Sequence, residues 1–160
     1  MHGYERIYLP HSACIHFVRD VGAADSLSSI FQKVAEKSIE CAYIDCAQID
    51  ISASGLVNAI AAELRLAYAP YSFNLWAQFV DDLIKRSFAS QGIVIVVDNA
   101  DVLLGKDRDQ MFDLIEIFLV QFHHWFEKKK PCHLCFQMEN SPALKEFFAT
   151  YRLRQSRPIA

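Results

Sequence analysis

Two cysteines at positions 132 and 135 have the spacing of half a zinc site, and His123 and His124 lie a few residues before them. A structural zinc ion needs four ligands, with a turn between the paired cysteines. The segment around Cys132 and Cys135 is apolar and predicts a strand, in which residues three apart point to opposite faces of a sheet. We therefore expect buried structural thiols here and no metal site.

A second apolar run ends in an aspartate, as do strands that bind magnesium and nucleotide. Five consecutive β-branched residues, 93–97, lead into Asp98, and Asp101 follows. In P-loop ATPases such a strand holds magnesium beside a glycine-rich phosphate loop that ends in lysine and then serine or threonine. The candidate loop, residues 21–26 (VGAADS), has one glycine, and Asp25 stands at the lysine position, where it would repel phosphate. We therefore interpret Asp98 as the end of a buried strand and the start of a turn, and not as part of a site for ATP hydrolysis.

Patterns typical of other catalytic sites are not seen in the sequence. No serine or cysteine is framed by glycines as in a nucleophile elbow, and the six histidines share no spacing. Paired carboxylates such as Asp107 and Asp109 are typical of the first turn of a helix. We expect a protein that is not an enzyme and that holds no cofactor.

The length and the composition are those of one globular domain. The chain has 160 residues, of which 52% are hydrophobic and 22% charged, and its net charge is −3. No signal peptide or membrane-spanning run is visible, and the five cysteines lie in or beside apolar segments. These features predict a cytoplasmic protein with free thiols that does not bind a membrane.

The charges are unevenly distributed along the chain. Residues 71–116 hold eight acidic and four basic side chains, whereas residues 117–160 hold three acidic and seven basic ones. A dedicated nucleic-acid binder usually carries a clear basic excess, so direct binding of nucleic acid is not expected. Arginines 152, 154 and 157 are interpreted as a solvated terminus. The acidic middle of the chain instead suggests a surface for a basic partner.

These residues must be positioned by alternating strands and helices. Strands separated by helices predict right-handed crossovers and an α/β fold, with a small, mostly parallel sheet of three or four strands flanked by α-helices. We interpret residues 1–160 as one domain, with a strand–helix extension over 1–39, a core over 40–137, and a helix and tail over 138–160. The predicted strands are 12–18, 40–45, 93–97 and 132–137, and the predicted helices are 25–37, 56–66, 72–88, 107–128 and 141–151.

Two of the predicted helices have apolar residues at helical spacing. The helix 72–88 is predicted to bury Trp76, Phe79, Val80, Leu83 and Ser87. Its remaining arc, expected to face solvent, carries Asn74, Gln78, Asp81, Asp82 and Lys85. The longest helix, 107–128, is predicted to bury Met111, Leu114, Ile115, Phe118, Leu119, Phe122 and Phe126.

From Glu40 to residue 137 the chain resembles the barstar family of small intracellular ribonuclease inhibitors. Residues 40–45 (ECAYID) are similar to the family's opening strand, and residues 69–83 (APYSFNLWAQFVDDL) to its recognition segment. The matching positions there are Tyr71, Trp76, Asp81 and Leu83. Residues 92–97, the helix through Trp125 and residues 130–136 resemble the later strands and the long helix, and Tyr8-Leu9-Pro10 resembles the start of longer family members.

The recognition segment also departs from the family pattern. Phe73 replaces a glycine, the family's asparagine is displaced to Asn74 or replaced by Leu75, and Ala77 replaces the first recognition aspartate. In the family, this helix and the loop before it plug the cationic active site of a ribonuclease, with acidic side chains standing in for phosphates of RNA.

The resemblance implies a non-catalytic inhibitor that presents an acidic helix to a basic protein partner, a ribonuclease or toxin domain. The alternative is a degenerate P-loop domain that acts without ATP hydrolysis as a subunit of an ATPase assembly, and a scaffolding module using the same surface is a third hypothesis. The partner-binding residues expected from the resemblance are Tyr71, Asn74, Trp76, Ala77, Gln78, Asp81 and Asp82.

Overall fold

Four parallel strands form one sheet in the computed structural model, which describes residues 14–19, 31–52, 54–67, 69–70, 75–138 and 142–155. The strand order across the sheet is β1-β4-β3-β2, and all three pairings are parallel. The predicted α/β fold with a small parallel sheet is confirmed. The strands are β1 (Ile15–Arg19), β2 (Glu40–Asp45), β3 (Ile93–Asp98) and β4 (Cys132–Met138).

Helices connect these strands and follow the last one. Their described bounds are α1 (31–36), α2 (Gly55–Glu63), α3 (Leu75–Ala89), α4 (Ala100–Lys106), α5 (Arg108–Glu127) and α6 (Pro142–Gln155). None of the helices in the described ranges is both long and apolar enough to cross a membrane.

The order of the strands explains why the helices divide between the two faces of the sheet. The chain passes from β1 to β2 across the whole sheet, then returns through β3 to β4. Right-handed crossovers in opposite directions must place their helices on opposite faces. Accordingly, Val34 of α1 packs on Val94, Val96 and Cys135, whereas the other helices contribute to the core on the opposite face.

The helix α4 was not predicted, because the residues after Asp98 were interpreted as a simple turn. Asn99 has a left-handed backbone conformation (φ 50°), which ends β3 and leads directly into α4. Asp107 then separates α4 from α5, and its carboxylate accepts a hydrogen bond from the backbone N–H of Gln110 at 3.3 Å. The connection therefore contains two helices with one N-cap residue between them.

The buried side of α5 matches the prediction at Met111, Leu114, Ile115 and Phe118 but departs from it at other positions. Leu119 and Phe126 are 43% and 45% exposed, whereas Trp125 and Gln121 are buried. The buried positions instead follow Met111, Leu114, Phe118, Gln121 and Trp125 at intervals of three or four residues, the spacing of one helical face. The apolar residues of this helix exceed what one buried face can hold, and the excess lies on the outer side.

Arg86 fixes the position of α3 against the rest of the fold. Its guanidinium donates to Glu40 Oε1 at the start of β2 at 2.6 Å, and to the carbonyl oxygens of Leu64 and Arg65 at 3.0 and 2.9 Å. Those two carbonyls follow the last turn of α2, where backbone acceptors lack helical partners. One side chain of α3 thus joins three elements.

Candidate protein-binding site

The helix α3 presents an apolar edge that is only partly covered. Phe79 and Leu83 are buried as predicted, and Ser87 is buried with them. Trp76 and Val80, which were expected in the same buried set, are half-buried. They lie on the side of α3 that faces α5, where the two helices leave a groove instead of closing on each other.

Asp82 differs from the prediction that it faces solvent. It is 4% exposed, because it follows Phe79 by three residues and lies on the covered side of the helix. Asp81 is exposed, but its carboxylate accepts from Lys85 Nζ at 2.6 Å, one turn along the helix. Of the two adjacent acids, only Asp81 is available to a partner.

Two further predicted site residues, Ala77 and Gln78, lie in the first turn of α3. Ala77 is exposed and Gln78 is half-buried. Tyr71 and Asn74 lie outside the described residues, so their places in the site stay predictions. The described surface near Asp81 therefore includes Ala77, the half-buried amide of Gln78, and Lys85, which pairs with the Asp81 carboxylate.

The groove between α3 and α5 has a volume of about 310 Å³. Apolar side chains come from both helices, and two carboxylates of α5 join them; among the described residues that line the groove, none is basic. This combination disfavours phosphate and favours a partner with both apolar and cationic groups. The lining residues are Trp76, Val80, Asp113, Glu116, Ile117 and Val120.

Sequence analysis missed the α5 side of this groove. Asp113, Ile117 and Val120 have the spacing i, i+4 and i+7, so they share one face of the helix. That spacing was a usable signal, but the larger apolar set of α5 obscured it. The pairing of this face with α3 depends on helix packing that local periodicity does not specify.

The carboxyl ends of β2 and β3 carry a second polar cluster, formed by Tyr43, Asp45, Asp98 and Asn99. The hydroxyl of Tyr43 donates to Asp98 Oδ2, and the backbone N–H of Asn99 donates to Asp98 Oδ1 at 2.7 Å. Asn99 Nδ2 donates to Asp45 Oδ1 at 2.8 Å. Both oxygens of Asp98 thus accept hydrogen bonds within the fold, at the strand end from which Asn99 leads into α4. Asp25 and the rest of segment 21–26 lie outside the described residues.

The cysteine pair of β4 is arranged as expected for structural thiols. Cys132 packs in the main core and Cys135 in the smaller core under α1, so the two lie on opposite faces of the sheet. His123 and His124 are exposed on α5. Within the described ranges, no group of three or more histidine, cysteine, aspartate or glutamate side chains is placed to hold a metal ion.

Burial controls the ionisation of these thiols. It raises the pKa of Cys132 and Cys135 far above the ordinary range. Burial raises the pKa of Cys41 and Cys46 to about 12, with a further contribution from the Glu63 carboxylate for Cys41 and from Asp45 and Asp98 for Cys46. Such thiols are poor nucleophiles and poor metal ligands at neutral pH.

Two histidines with no shared spacing in the sequence meet in the fold. His16 Nε2 lies 3.0 Å from His133 Nδ1, and His133 is fully buried. The parallel pairing of β1 with β4, which sets Ile15 opposite Leu134, brings these rings together. One ring must donate and the other accept, so the pair is a partly buried polar contact between an edge strand and its neighbour.

No family model matches this chain, and no curated protein matches its sequence. The geometry around α3 is therefore the basis on which a function is proposed.

Proposed function

We propose that this protein is a non-catalytic inhibitor that binds a basic protein partner through the exposed side of α3. A ribonuclease or toxin domain with a cationic active site is the partner class that fits the resemblance to the barstar family. The observation that carries the proposal is the acid-lined apolar groove beside Asp81. A cytoplasmic location accords with it, since the cysteines at 14, 41, 46, 132 and 135 are all free thiols.

Asp81 is suited to exchange its present ion pair for one with a partner. The side chains of Asp81 and Lys85 are 58% and 54% exposed. An exposed i,i+4 pair stabilises a helix by only about 0.3–0.5 kcal/mol, so its loss costs little when a better cation arrives. Inside a water-excluding interface the same carboxylate would interact more strongly with a cationic cleft.

The groove supplies the contacts that a single charge cannot. Trp76 and Val80 offer half-buried apolar surface next to Asp81, and aromatic anchors commonly dominate binding energy. Asp113 and Glu116 extend the negative charge beyond α3. This extension compensates for Ala77, which stands where the family has its first recognition aspartate.

Ribonuclease inhibition by two variants tests the proposal. Asp81→Ala should weaken binding to a barnase-type ribonuclease by at least about 2 kcal/mol, because cations of the enzyme are left desolvated and unpaired. Ala77→Asp should strengthen inhibition by adding an exposed acid to the same surface. Glu146→Ala is the matched control, since Glu146 is an exposed carboxylate of α6 that pairs with Arg108 at 3.3 Å.

The proposal fails if these three proteins inhibit the ribonuclease equally well. It also fails if Glu146→Ala loses as much affinity as Asp81→Ala, because the effect would then follow total charge and not this surface.

One observation favours the second candidate, a degenerate P-loop domain without ATP hydrolysis. β4 lies between β1 and β3, so the carboxyl ends of β1 and β3 lie at the same edge of the sheet, near a point where the crossover direction reverses. Ligands of open α/β sheets bind at such points. Calorimetric titration with magnesium-ATP tests this candidate: we expect no heat of binding, and micromolar affinity would place it first.

A further inference from the structure

The outer side of α3 carries a second apolar stripe next to its buried one. Trp76, Val80, Ile84 and Phe88 recur at every fourth residue; the first three are half-buried and Phe88 is 72% exposed. Ile117 and Val120 of α5 face the first part of this stripe across the groove. An apolar stripe of this length on a solvent-facing helix is more than scattered surface hydrophobicity.

The helices α3 and α5 run side by side in the same direction. Trp76 and Asp113, near the starts of the two helices, line the same groove. At the other end, Lys128 Nζ lies 4.5 Å from the centre of the Phe88 ring, and Lys130 Nζ donates to the Ser87 carbonyl at 2.9 Å. Two parallel helices with an open seam offer the ridges and grooves into which a third helix packs.

We propose that this groove receives a cationic amphipathic helix of the partner. The inference rests on the proposed function and specifies which structure of the partner contacts this surface. From Trp76 to Phe88 the stripe spans 13 residues of helix, so an incoming helix of about 13 residues, roughly 18 Å from first to last residue, would cover it. Helix-in-groove recognition uses anchors at such one-turn intervals.

The two ends of the stripe differ in charge: Lys128 lies over Phe88 at one end, and carboxylates at the other end select a basic group on the incoming helix. Asp113 and Glu116 flank the apolar lining at the end near Trp76, and Asp81 lies on the adjoining face of α3. Lysine or arginine side chains beside the apolar face of the incoming helix would meet these carboxylates. Nucleic acid and anionic lipid would bring phosphates to the same carboxylates and be repelled.

Tryptophan fluorescence gives a direct readout of occupancy. The chain has two tryptophans, and Trp125 is fully buried, so a change on binding reports Trp76. The probe is an amphipathic helical peptide of leucine and lysine, about 18 residues long, and its matched control has glutamate in place of lysine. We expect a saturable shift to shorter wavelength with the lysine peptide and none with the glutamate peptide.

Two neighbouring residues of α5 provide matched variants. Val120 and Leu119 are both exposed aliphatic side chains, at 65% and 43%, but only Val120 lines the groove. Val120→Lys should weaken peptide binding at least about tenfold, because it places a like charge in the apolar contact. Leu119→Lys should change the affinity by less than about twofold, with both thermal midpoints near that of the parent.

Equal affinities of the two variants for the lysine peptide, or binding of the glutamate peptide, would overturn the groove proposal. The ribonuclease assay separates this failure from failure of the proposed function. If Val120→Lys inhibits the ribonuclease normally while Asp81→Ala does not, the inhibitor proposal stands and the groove proposal falls. If the peptide results are as expected but the parent inhibits no ribonuclease, the groove proposal stands and the ribonuclease-inhibitor proposal falls.

Discussion

Two adjacent carboxylates on α3 differ in their environments, and this difference separates a binding role from a structural one. Asp81 is exposed, whereas Asp82 is 4% exposed. Asp81→Ala should change the free energy of unfolding by no more than about 0.5 kcal/mol. Asp82→Ala should lower it by about 1–3 kcal/mol, because removing a buried polar group leaves its surroundings unsatisfied.

Urea unfolding of both variants measures this contrast. The m-values should stay equal, since neither substitution alters the surface exposed on unfolding. Equal losses of stability for Asp81→Ala and Asp82→Ala would contradict the burial of Asp82 and would mean that its side chain is accessible.

The thiols give a second prediction at this scale. A pKa raised to about 12 means that Cys41 and Cys46 stay protonated at pH 8 and ionise only as the pH approaches that value. Since the thiolate is the reactive form, iodoacetamide should label the native cysteines at least about a hundredfold more slowly than free cysteine at pH 8. Mass spectrometry counts the labels, and unfolding in guanidinium should expose all five thiols. Rapid labelling of native Cys46 would contradict its burial.

At the scale of elements, Arg86 is the side chain whose loss should matter most for the placement of α3. It binds Glu40 and the two carbonyls after α2 with a planar fork of donors. Lysine cannot reproduce that geometry, so Arg86→Lys should lower the free energy of unfolding by about 1–3 kcal/mol.

Lys85→Ala is the control for Arg86→Lys, since Lys85 is the exposed neighbour of Arg86 on α3 and pairs with Asp81 at the surface. Thermal unfolding of both variants measures the contrast, and the effect of Lys85→Ala on the free energy of unfolding should stay within about 0.5 kcal/mol. A loss for Lys85→Ala that matches the loss for Arg86→Lys would show that α3 is not held by this contact.

The elements themselves were largely predictable from local pattern, but their faces were not. The bounds of β2 match the prediction, and β3 extends it by Asp98 alone, because continuous β-branched runs are typical of strands covered on both sides. The buried side of α5 was wrong at Leu119 and Phe126, since this helix has more apolar residues than one face can hold. The helix α4, which was not predicted, begins after Asn99. The backbone of Asn99 is in the left-handed conformation, which the sequence pattern did not predict.

At the scale of the molecule, the candidate site depends on contacts between distant segments. Trp76 and Val80 belong to α3, whereas Ile117 and Val120 come from α5, with β3 and α4 between them in the chain. Periodicity predicts each helix, but the gap between the helices depends on how both pack on the sheet. The acidic excess of residues 71–116 could be counted in the sequence. Only the fold shows that Asp82 is buried and that Asp113 and Glu116 line the groove.

We propose that the surface formed by α3 and the groove between α3 and α5 binds a basic protein. Hydrogen–deuterium exchange of the full chain, with and without a barnase-type ribonuclease, tests this claim most directly. We predict slower exchange in the complex for residues 75–89 and 113–120, with the carboxyl ends of β2 and β3 unchanged. Protection confined to residues 45–50 and 98–101, or no protection at saturating ribonuclease, would contradict it.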